Sequence, residues 1–534
     1  MATTGSLLGD RVTLQVRSVD RIFLQAYVPG LQTMYQVIRF LLHRGYPIPS
    51  PAALGKIGRT FVGDIERFIE LNHIPVVRFV KGEKKEQVAA PYLAEAAASG
   101  KEAVVLVGIA QEKVQAWRGW KDGGSVGHPH FEYRRQSVFV NHYYFYVFDR
   151  AFGPAFFKMC PYAPYPIWVW CNGHEWAKRQ ADRAGLDYTA LDNGFAACPD
   201  PGRLQGICDR LSAAAIRTFV LRWLLKLPSP FTAADREAGF HHDLAFRQVE
   251  FSDTRVFDRP ASGRAWFEAT IREHLDLGRP DQVALVFSRR ISKRTPGRFC
   301  TRVITRGVDP SIQIHYRASK LKQYFKEGRA LRTETTINDT YDFGVGRLVK
   351  EENFRALRAV GEAANRRLIE MESSTEACAP DADTFQQVVL PSTVDGSRVP
   401  ALRFGDPRTV SLLAALVCFT NLVGGFTNAS LRELVAGLLG EPYSARQMTY
   451  DLRRLHRKGF IVRTAGTRVY HLTPDGRRLA IFFTKVYARI LTPSLAHIDP
   501  RLPDPVAART SLGKAWRSLD TALDQIIREA AIAA

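Results

Sequence analysis

Hydrophobic positions along this chain change their spacing several times, and each change predicts a different kind of element. Over 20–72 the apolar side chains, for example Ile38 and Ile65, recur at helical spacing. Two short apolar stretches follow, IPVVRFV at 74–80 and AVVLVGIA at 103–110, with a charged, alanine-rich stretch between them. This order predicts a strand, a helix and a second strand, with the two strands buried and parallel.

The next segment contains two tryptophans among charged residues and predicts a loop. It covers 111–124, with the sequence QEKVQAWRGWKDGG, and follows the second apolar strand, where α/β folds place ligands. A plain surface loop with its tryptophans packed underneath is the alternative. Over 136–171 short aromatic runs predict an antiparallel sheet. No internal repeat is visible in the sequence.

Residues 298–338 alternate with a period of two and predict four strands joined by turns. The alternation collects apolar side chains on one face, which we expect to be a core: Phe299, Val303, Ile312, Ile314, Leu321, Phe325, Leu331 and Ile337. The other face collects polar side chains: Arg302, His315, Arg317, Lys322, Tyr324, Lys326, Arg332 and Glu334.

The polar face of these strands is strongly basic. Between Arg289 and Arg332 thirteen Lys or Arg residues are opposed by only Asp309 and Glu327. Cations with an aromatic side chain among them suit a phosphate backbone with a base to stack. We therefore predict a nucleic-acid platform, and a solvated sheet face is the alternative. The candidate binding residues on it are Arg302, Arg317, Lys322, Tyr324, Lys326 and Arg332.

The segment from Pro407 to Ile490 has the clearest motif of the chain. Its pattern predicts two helices, a basic third helix over 444–458, a basic hairpin and a further helix. This order resembles the winged-helix domains of MarR-like and ArsR-like regulators. The resemblance implies that the third helix enters the major groove of DNA and that the hairpin touches phosphate or the minor groove. The implied contacts are Arg446, Thr449, Tyr450, Arg453, Arg454, Arg457, Arg463, Thr467 and Arg468.

Composition extends the basic character to the whole chain. The 534 residues have a formal net charge of +21 and a sequence pI near 9.8, with 46% hydrophobic and 24% charged residues. A folded protein with this excess of positive charge attracts polyanions. Nucleic acid is therefore the expected partner, DNA before RNA, and no membrane partner is expected.

Cellular location is inferred from features that are missing from the sequence. Seven scattered cysteines form no Cys-x-x-Cys pair, and the start of the chain lacks the pattern of a secretory signal. Both features fit a reducing cytoplasm. The uncharged stretch from Thr409 to Leu431 holds too many polar side chains for a membrane span, and we expect two short helices and a turn there.

An enzymatic alternative rests on side chains that can act on a phosphodiester. His128 and His130 are two residues apart, hence on one strand face, with Glu132 next in phase, as metal ligands would be. Tyr324 would be the nucleophile, in an arrangement that faintly resembles replication-initiator and relaxase proteins. A proline between the histidines and the short spacing from the tyrosine to the next lysine depart from the motifs of that family. A divalent metal is expected only under this alternative, and the cofactor is otherwise unknown.

Other titratable side chains have simpler explanations. His174 and Glu175 could act as acid, base or ligand. Asn172 and Glu175, however, have the spacing of a helix N-cap and its third helical residue, which explains the pair without chemistry. His142 lies on an aromatic strand, where a hydrogen-bonded core histidine is expected.

Together these patterns predict a multidomain α+β protein. The expected parts are a helical and α/β region (1–120), a basic and aromatic antiparallel-sheet core (121–370), a linker (371–405), a winged helix (406–495) and a helix (496–534) that packs on the chain or forms a homodimer. In layout the chain resembles a broad set of uncharacterised bacterial multidomain proteins, through HPHFEY, NGHEWAKRQ, KQYFKEGRALRTETTIND and MTYDLRRLHRKG. That resemblance implies fold and cellular type but no activity.

The predicted function is nucleic-acid binding of mobile-element or genome-maintenance type. The winged helix would bind duplex DNA, and the central sheet would bind a second strand or an RNA. A metal-dependent nuclease or strand-transferase is one alternative. A transcription regulator that senses a small ligand is the other.

Overall fold

The structure is a computed structural model that describes most of the chain. The described residues are 8–121, 131–274, 282–283, 300–306, 309–326, 328, 330–373, 378–394, 396–403, 406–418 and 420–487, with single positions between 511 and 525. Over these residues the protein is mixed α+β, as the sequence predicted, and one large sheet organises it.

Twelve strands within the described residues pair into this mixed sheet. In chain order the first fourteen strands are β1 (Val12–Tyr27), β2 (Val76–Arg78), β3 (Ala103–Lys121), β4 (Phe131–Asp149), β5 (Gly153–Met159), β6 (Ile167–Asn172), β7 (Thr189–Leu191), β8 (Gly194–Ala197), β9 (Asp243–Phe257), β10 (Gln282–Val283), β11 (Cys300–Arg306), β12 (Asp309–Tyr316), β13 (Ser319–Lys326) and β14 (Ala330–Ile337). Side by side the sheet has the order β10-β11-β12-β13-β14-β9-β1-β6-β5-β4-β3-β2, and β7 and β8 form a separate hairpin.

The sheet consists of two halves with the same strand order. Outward from the central pair, the first half is β1, β6, β5, β4, β3, β2, and the second half is β9, β14, β13, β12, β11, β10. In each half the outermost pair is parallel, whereas the central pair β1–β9 is antiparallel. A pseudo-twofold axis perpendicular to the sheet, between β1 and β9, therefore relates the two halves. The repeat is one of strand order, which is why no repeat is visible in the residues.

Most helices up to residue 373 cover one face of the sheet and enclose its main core, whereas the helix Lys85–Ser99 packs on the other face, against Leu106 and Tyr144. Strand alternation directs Ile22, Val169 and Phe251 into this core, where each is fully or almost fully buried. The helices up to residue 373 are α1 (Met34–His43), α2 (Pro51–Leu71), α3 (Lys85–Ser99), α4 (Gly173–Arg183), α5 (Pro201–Asp209), α6 (Ala213–Lys226), α7 (Ala233–Glu237), α8 (Pro260–His274) and α9 (Glu351–Ser373).

The C-terminal part of the described chain is a helical module that packs on the second half of the sheet. Its elements are α10 (Ala382–Val389), β15 (Ser392–Val394), β16 (Ser397–Val399), α11 (Pro407–Leu416), α12 (Thr420–Gly424), α13 (Asn428–Leu439), α14 (Ala445–Arg457), β17 (Ile461–Arg463), β18 (Tyr470–Leu472) and α15 (Pro474–Val486). A second core joins this module to Ile312, Ile314 and Leu321 of the sheet.

The uncharged stretch from Thr409 to Leu431 lies within this module. It is divided among α11, α12 and the start of α13, which matches the short helices that the sequence predicted. Across the described part of the chain, none of the helices has both the length and the apolar character that a membrane crossing requires.

Several predicted boundaries differ from the structure. Residues 20–27 complete β1 instead of beginning a helix, because the bulge between Val19 and Ile22 interrupts the alternation that runs along the earlier part of the strand. Residues 111–121, predicted as a loop, extend β3, which pairs with β4, so the sheet crosses the boundary expected at 120. The predicted linker 371–405 holds the end of α9, α10 and the β15–β16 hairpin. The predicted helix 496–534 lies outside the described residues except for single positions.

The contact between α9 and β9 provides a test of the packing. Gly361 of α9 approaches Phe251 so closely that an added Cβ would lie 2.4 Å from Cδ2 of the ring. Gly361→Ala should therefore lower the free energy of unfolding by about 1–3 kcal/mol, although alanine favours helix. Denaturant titration measures this change. The control is Gly63→Ala in α2, where a Cβ meets nothing within 4 Å, and its effect should be neutral or stabilising. Equal destabilisation at both positions would contradict the packing.

Candidate functional site

A groove of about 1350 Å³ crosses the sheet on the face opposite α9. It extends from β12 and β13 of the second half, over β9 and β1, to β6, β3 and β4 of the first half. Of its 25 lining residues eight are Lys or Arg, one is His, and none is Asp or Glu. A concave surface lined by one sign of charge concentrates ions of the opposite sign. The cations are Arg21, Lys113, Arg135, Arg247, Arg317, Lys320, Lys322 and Arg347.

Two bulges in the central strands bring arginines onto the groove floor. In β1 the pairing shifts between Val19 and Ile22, and the extra residue allows Arg21 to reach the groove face. In β9 the pairing shifts opposite Phe23, and the extra residue places Arg247 in the groove beside its neighbour Gln248. A bulge changes the direction in which strand side chains point. The two bulges thus place two arginine side chains on the groove face where the two halves of the sheet meet.

Cations in and beside the groove also lie over aromatic rings. The Lys322 ammonium is 3.7 Å from the centre of the Tyr324 ring, and the Arg135 guanidinium is 5.1 Å from the centre of the Trp117 ring. A ring stabilises a cation without cancelling its charge. Burial lowers the pKa of Lys322, and the nearby Glu334 carboxylate opposes that shift. Burial likewise lowers the pKa of Arg135.

At the edge of the groove a buried cluster forms around Arg332, a side chain with no solvent exposure. Its Nη2 lies 2.5 Å from Asp20 Oδ2, and its Nε lies 3.0 Å from Glu334 Oε2. Its Nη1 donates to the backbone oxygen of Asn193, in the turn between β7 and β8, over 2.5 Å. Although burial acts against the charged forms, these pairs raise the pKa of Arg332 and hold the pKa of Asp20 below its usual value.

His174 completes this cluster as a neutral imidazole. Its Nε2 is 2.7 Å from Nη2 of Arg332, and its ring also faces the hydroxyl groups of Ser18 and Ser252. Burial, together with the charge of Arg332, lowers the pKa of His174 to about 3. Because a neutral imidazole nitrogen accepts a hydrogen bond from the guanidinium, the ring acts as one more acceptor for Arg332.

Three buried carboxylates meet beside Arg332. Asp20, Glu250 and Glu334 each place an oxygen within 4.8 Å of the others, and carboxylate oxygens are the donors that hard divalent cations prefer. Arg332 contacts two of these carboxylates, and Arg21 Nε lies 3.7 Å from Glu250. Burial, with the neighbouring Glu334 and Asp20 carboxylates, raises the pKa of Glu250 well above its usual value. Two guanidinium groups of the protein itself, those of Arg332 and Arg21, thus pair with the three carboxyl groups.

The predicted cationic face separates into exposed and buried positions. Lys322 and Arg317 line the groove, as the alternation indicated. Arg332 was predicted to contact phosphate, and this prediction is wrong, because the β7–β8 turn and α4 cover it. Lys326 is half-buried, and its ammonium lies 3.7 Å from an Asp192 carboxylate oxygen. The side chain of Arg302 lies outside the described residues.

Of the proposed catalytic side chains that the structure describes, Glu132 and Tyr324 do not lie together. His128 and His130, the predicted metal ligands, lie outside the described residues. Glu132 is exposed on β4 and pairs with Arg134 at 3.0 Å. Tyr324 on β13 is six strand positions away from β4, or about 29 Å along the sheet at about 4.8 Å per strand. Burial and the Glu334 carboxylate, which accepts from the Tyr324 hydroxyl over 3.1 Å, raise the pKa of Tyr324 and oppose the phenolate that a nucleophile needs.

Two other predicted sites are structural. Asn172 caps α4, because its Oδ1 accepts from the backbone N–H groups of His174 and Glu175. The Glu175 carboxylate itself pairs with Lys178 at 2.9 Å. His142 is buried in the sheet, as expected, where its Nδ1 lies 3.2 Å from the backbone oxygen of Val140.

In the C-terminal module most of the predicted contacts are exposed. One is not, because Arg454 is half-buried and pairs with Asp451 at 3.2 Å. Asp451 is fully buried and also accepts from Arg408 at 2.8 Å, a contact that fixes α14 against α11. The sequence pattern indicates no such contact for either Asp451 or Arg408. The exposed positions are Arg446, Thr449, Tyr450, Arg453, Arg457, Arg463, Thr467 and Arg468.

Sequence reasoning also missed most of the groove. Its cations come from six separate segments of the chain, and only the run over 317–322 is dense enough to be noticed in the sequence. A signal was present in β1, where Arg21, Phe23, Gln25 and Tyr27 alternate with apolar residues. That alternation marks a strand with one open polar face.

The class of site that these features define is a broad cationic sheet surface with a buried cluster of paired charges at its edge. No family model matches this sequence, and no curated protein and no solved structure is significantly similar to it.

Removing the guanidinium of Arg332 tests the buried cluster. Arg332→Met leaves Asp20 and Glu334 buried without their cation, so the free energy of unfolding should fall by about 3–5 kcal/mol. The matched control is Lys320→Met, on the neighbouring strand and the same sheet face but in the open groove, which should change stability by about 0.5 kcal/mol or less. Chemical denaturation of both variants measures the difference. Similar small effects would show that the Arg332 contacts are dispensable.

The neutral His174 gives the cluster a pH dependence. Its pKa is about 3 in the folded protein and about 6.5 when unfolded, so between these values the unfolded chain binds the additional proton. Below pH 6.5 this group should therefore cost stability, by up to about 1.4 kcal/mol for each pH unit. Glutamine keeps an acceptor but does not titrate. The unfolding free energy of His174→Gln should fall less steeply than that of the wild type from pH 6 to pH 4, and identical slopes would contradict the assignment.

Proposed function

We propose that this chain is a nucleic-acid-binding protein of mobile-element or genome-maintenance type. We also propose that the groove is its main binding surface. The observation that carries this proposal is the lining of the groove, where eight cations have no acidic residue among them. Arg21 is also paired with Glu250, and Arg347 with Asp339, but the other six cations repel each other on one concave surface unless an anion neutralises them. A polyanion with regularly spaced charges satisfies that condition, and nucleic acid is such a polymer.

The C-terminal module supplies a second surface, which we propose to be a winged helix for duplex DNA. The order of α11, α13, α14, the β17–β18 hairpin and α15 supports this proposal, together with the backbone bridge between Phe426 and Tyr470 that adds a third short strand. Arg453 and Arg457 are exposed on α14, and Arg463 and Arg468 are exposed on the hairpin. In winged helices such positions face the major groove and the adjoining phosphates.

The two alternatives have less support. A nuclease or strand-transferase needs reacting groups that converge, and Glu132 and Tyr324 lie on distant strands. A ligand-sensing regulator needs an enclosed apolar pocket of several hundred Å³. The apolar cavity between Val388 and Leu413 measures about 10 Å³, which is room for about one water molecule.

Binding of the full chain to a fluorescent 30-base-pair DNA duplex, to the matching single strand and to an RNA of the same sequence tests the proposal. At least one probe should bind with an affinity that falls steeply as salt rises, because released counterions drive the association. Lys322→Ala and Arg468→Ala should each weaken binding and lower the salt slope by about one unit. The control is Arg355→Ala, an exposed cation on α9 on the opposite face of the sheet. No binding of any probe at 0.1 M salt would refute the proposal.

A further inference from the structure

We propose that the groove takes a nucleic-acid duplex that lies across the pseudo-twofold axis of the sheet. One backbone of the duplex faces the first half of the sheet, and the other backbone faces the second half. This inference rests on the proposed nucleic-acid binding and deepens it. It also replaces the single strand or RNA that the sequence suggested for the central sheet.

The first argument is the symmetry of the sheet. The two halves share one strand order, and the pair that joins them, β1–β9, is antiparallel. The axis that relates them is therefore perpendicular to the sheet and passes through the floor of the groove. The two antiparallel strands of a nucleic-acid duplex are related by twofold axes perpendicular to the duplex axis. Proteins with a twofold axis bind duplex DNA with the two axes aligned, and a single strand has no such axis.

The second argument is the distribution of charge about this axis. Lys113 and Arg135 line the groove from the first half, whereas Lys320 and Lys322 line it from the second half. Between them lie Arg21 and Arg247 on the central strands. Lys113 on β3 and Lys320 on β13 are seven strand positions apart, or about 34 Å along the sheet at about 4.8 Å per strand. A duplex carries one phosphate per about 1.7 Å of its axis, which is twice the number of phosphates per unit length that one of its strands carries. Its two backbones present phosphates to both groups of cations.

The third argument concerns the aromatic side chains. A sequence-tolerant single-strand site needs aromatic faces on which bases stack. Two of the four Phe, Tyr and Trp rings that line the groove, those of Trp168 and Tyr341, already have a cation of the protein itself over them. The Lys158 ammonium is 4.7 Å from the centre of the Trp168 ring in the groove, and Lys322 is 3.7 Å from that of Tyr324. This arrangement favours contacts to phosphate over base stacking, as expected for a duplex whose bases stay paired.

The test compares two double variants that lie on opposite sides of the axis. Lys113→Ala/Arg135→Ala removes the cations of the first half, and Lys320→Ala/Lys322→Ala removes those of the second half. Each should lower the salt slope for a 30-base-pair DNA duplex by about 1.8 and weaken binding at 0.1 M salt by roughly 60-fold, at about 0.9 of slope per phosphate. The matching single strand should bind the wild type at least tenfold more weakly than the duplex. Arg355→Ala/Lys101→Ala is the control for the loss of two exposed cations away from the groove, and it should bind like the wild type.

Two results would overturn the inference without touching the proposed function. One is a single strand that binds as tightly as the duplex. The other is a loss of duplex binding in only one of the two double variants, because a duplex across the axis must contact both halves. If neither probe binds the wild type, the proposed function itself fails. Circular dichroism of each variant confirms that a loss of binding does not reflect unfolding.

Discussion

The buried guanidinium of Arg332 is the interaction on which the arrangement of the sheet depends. It joins β14 to β1 through Asp20, to α4 through His174, and to the β7–β8 turn through the backbone of Asn193. Because an uncompensated buried charge costs several kcal/mol, the strands and the covering elements are stable only when all these partners are in place. The cluster therefore adds a buried side-chain link between the two halves of the sheet to the backbone pairing of β1 with β9, beside the groove that crosses both.

On this face of the sheet the acidic side chains are buried, whereas basic side chains beside them reach the surface. The carboxylates of Asp20, Glu250 and Glu334 are buried, whereas Arg21 and Lys322 beside them reach the groove. If those carboxylates faced the groove, they would repel phosphate and cancel part of the cationic lining. Arg332 pairs with Asp20 and Glu334, and burial together with the acidic neighbours raises the pKa of Glu250 well above its usual value. The positive potential of the groove is thus a consequence of where the acids are buried as much as of where the cations are exposed.

The sequence predicts features that depend on neighbouring residues and does not predict features that depend on contacts between distant parts of the chain. Alternation over 298–338 correctly assigned Leu321 and Leu331 to a core and Lys322 to the opposite face, because strand alternation is local. It could not distinguish Arg332 from Lys322, because the turn that covers Arg332 is more than 130 residues away in the chain. The bulge after Val19 broke the alternation of β1 and suggested a helix. The shared strand order of the two halves is a property of the fold, and no run of residues expresses it.

Both proposed binding surfaces contain arginines that pair with buried carboxylates and thereby position the elements that carry the exposed cations. In the groove, Arg332 pairs with buried acids and so fixes the strands that display Lys320 and Lys322. In the C-terminal module, Arg408 and Arg454 pair with the buried Asp451 and so fix the helix that displays Arg453 and Arg457. In both places some cations are used internally to position others. The formal charge of +21 therefore overstates the positive charge that the surface displays, and the geometry of the fold sets where the cations without a carboxylate partner lie.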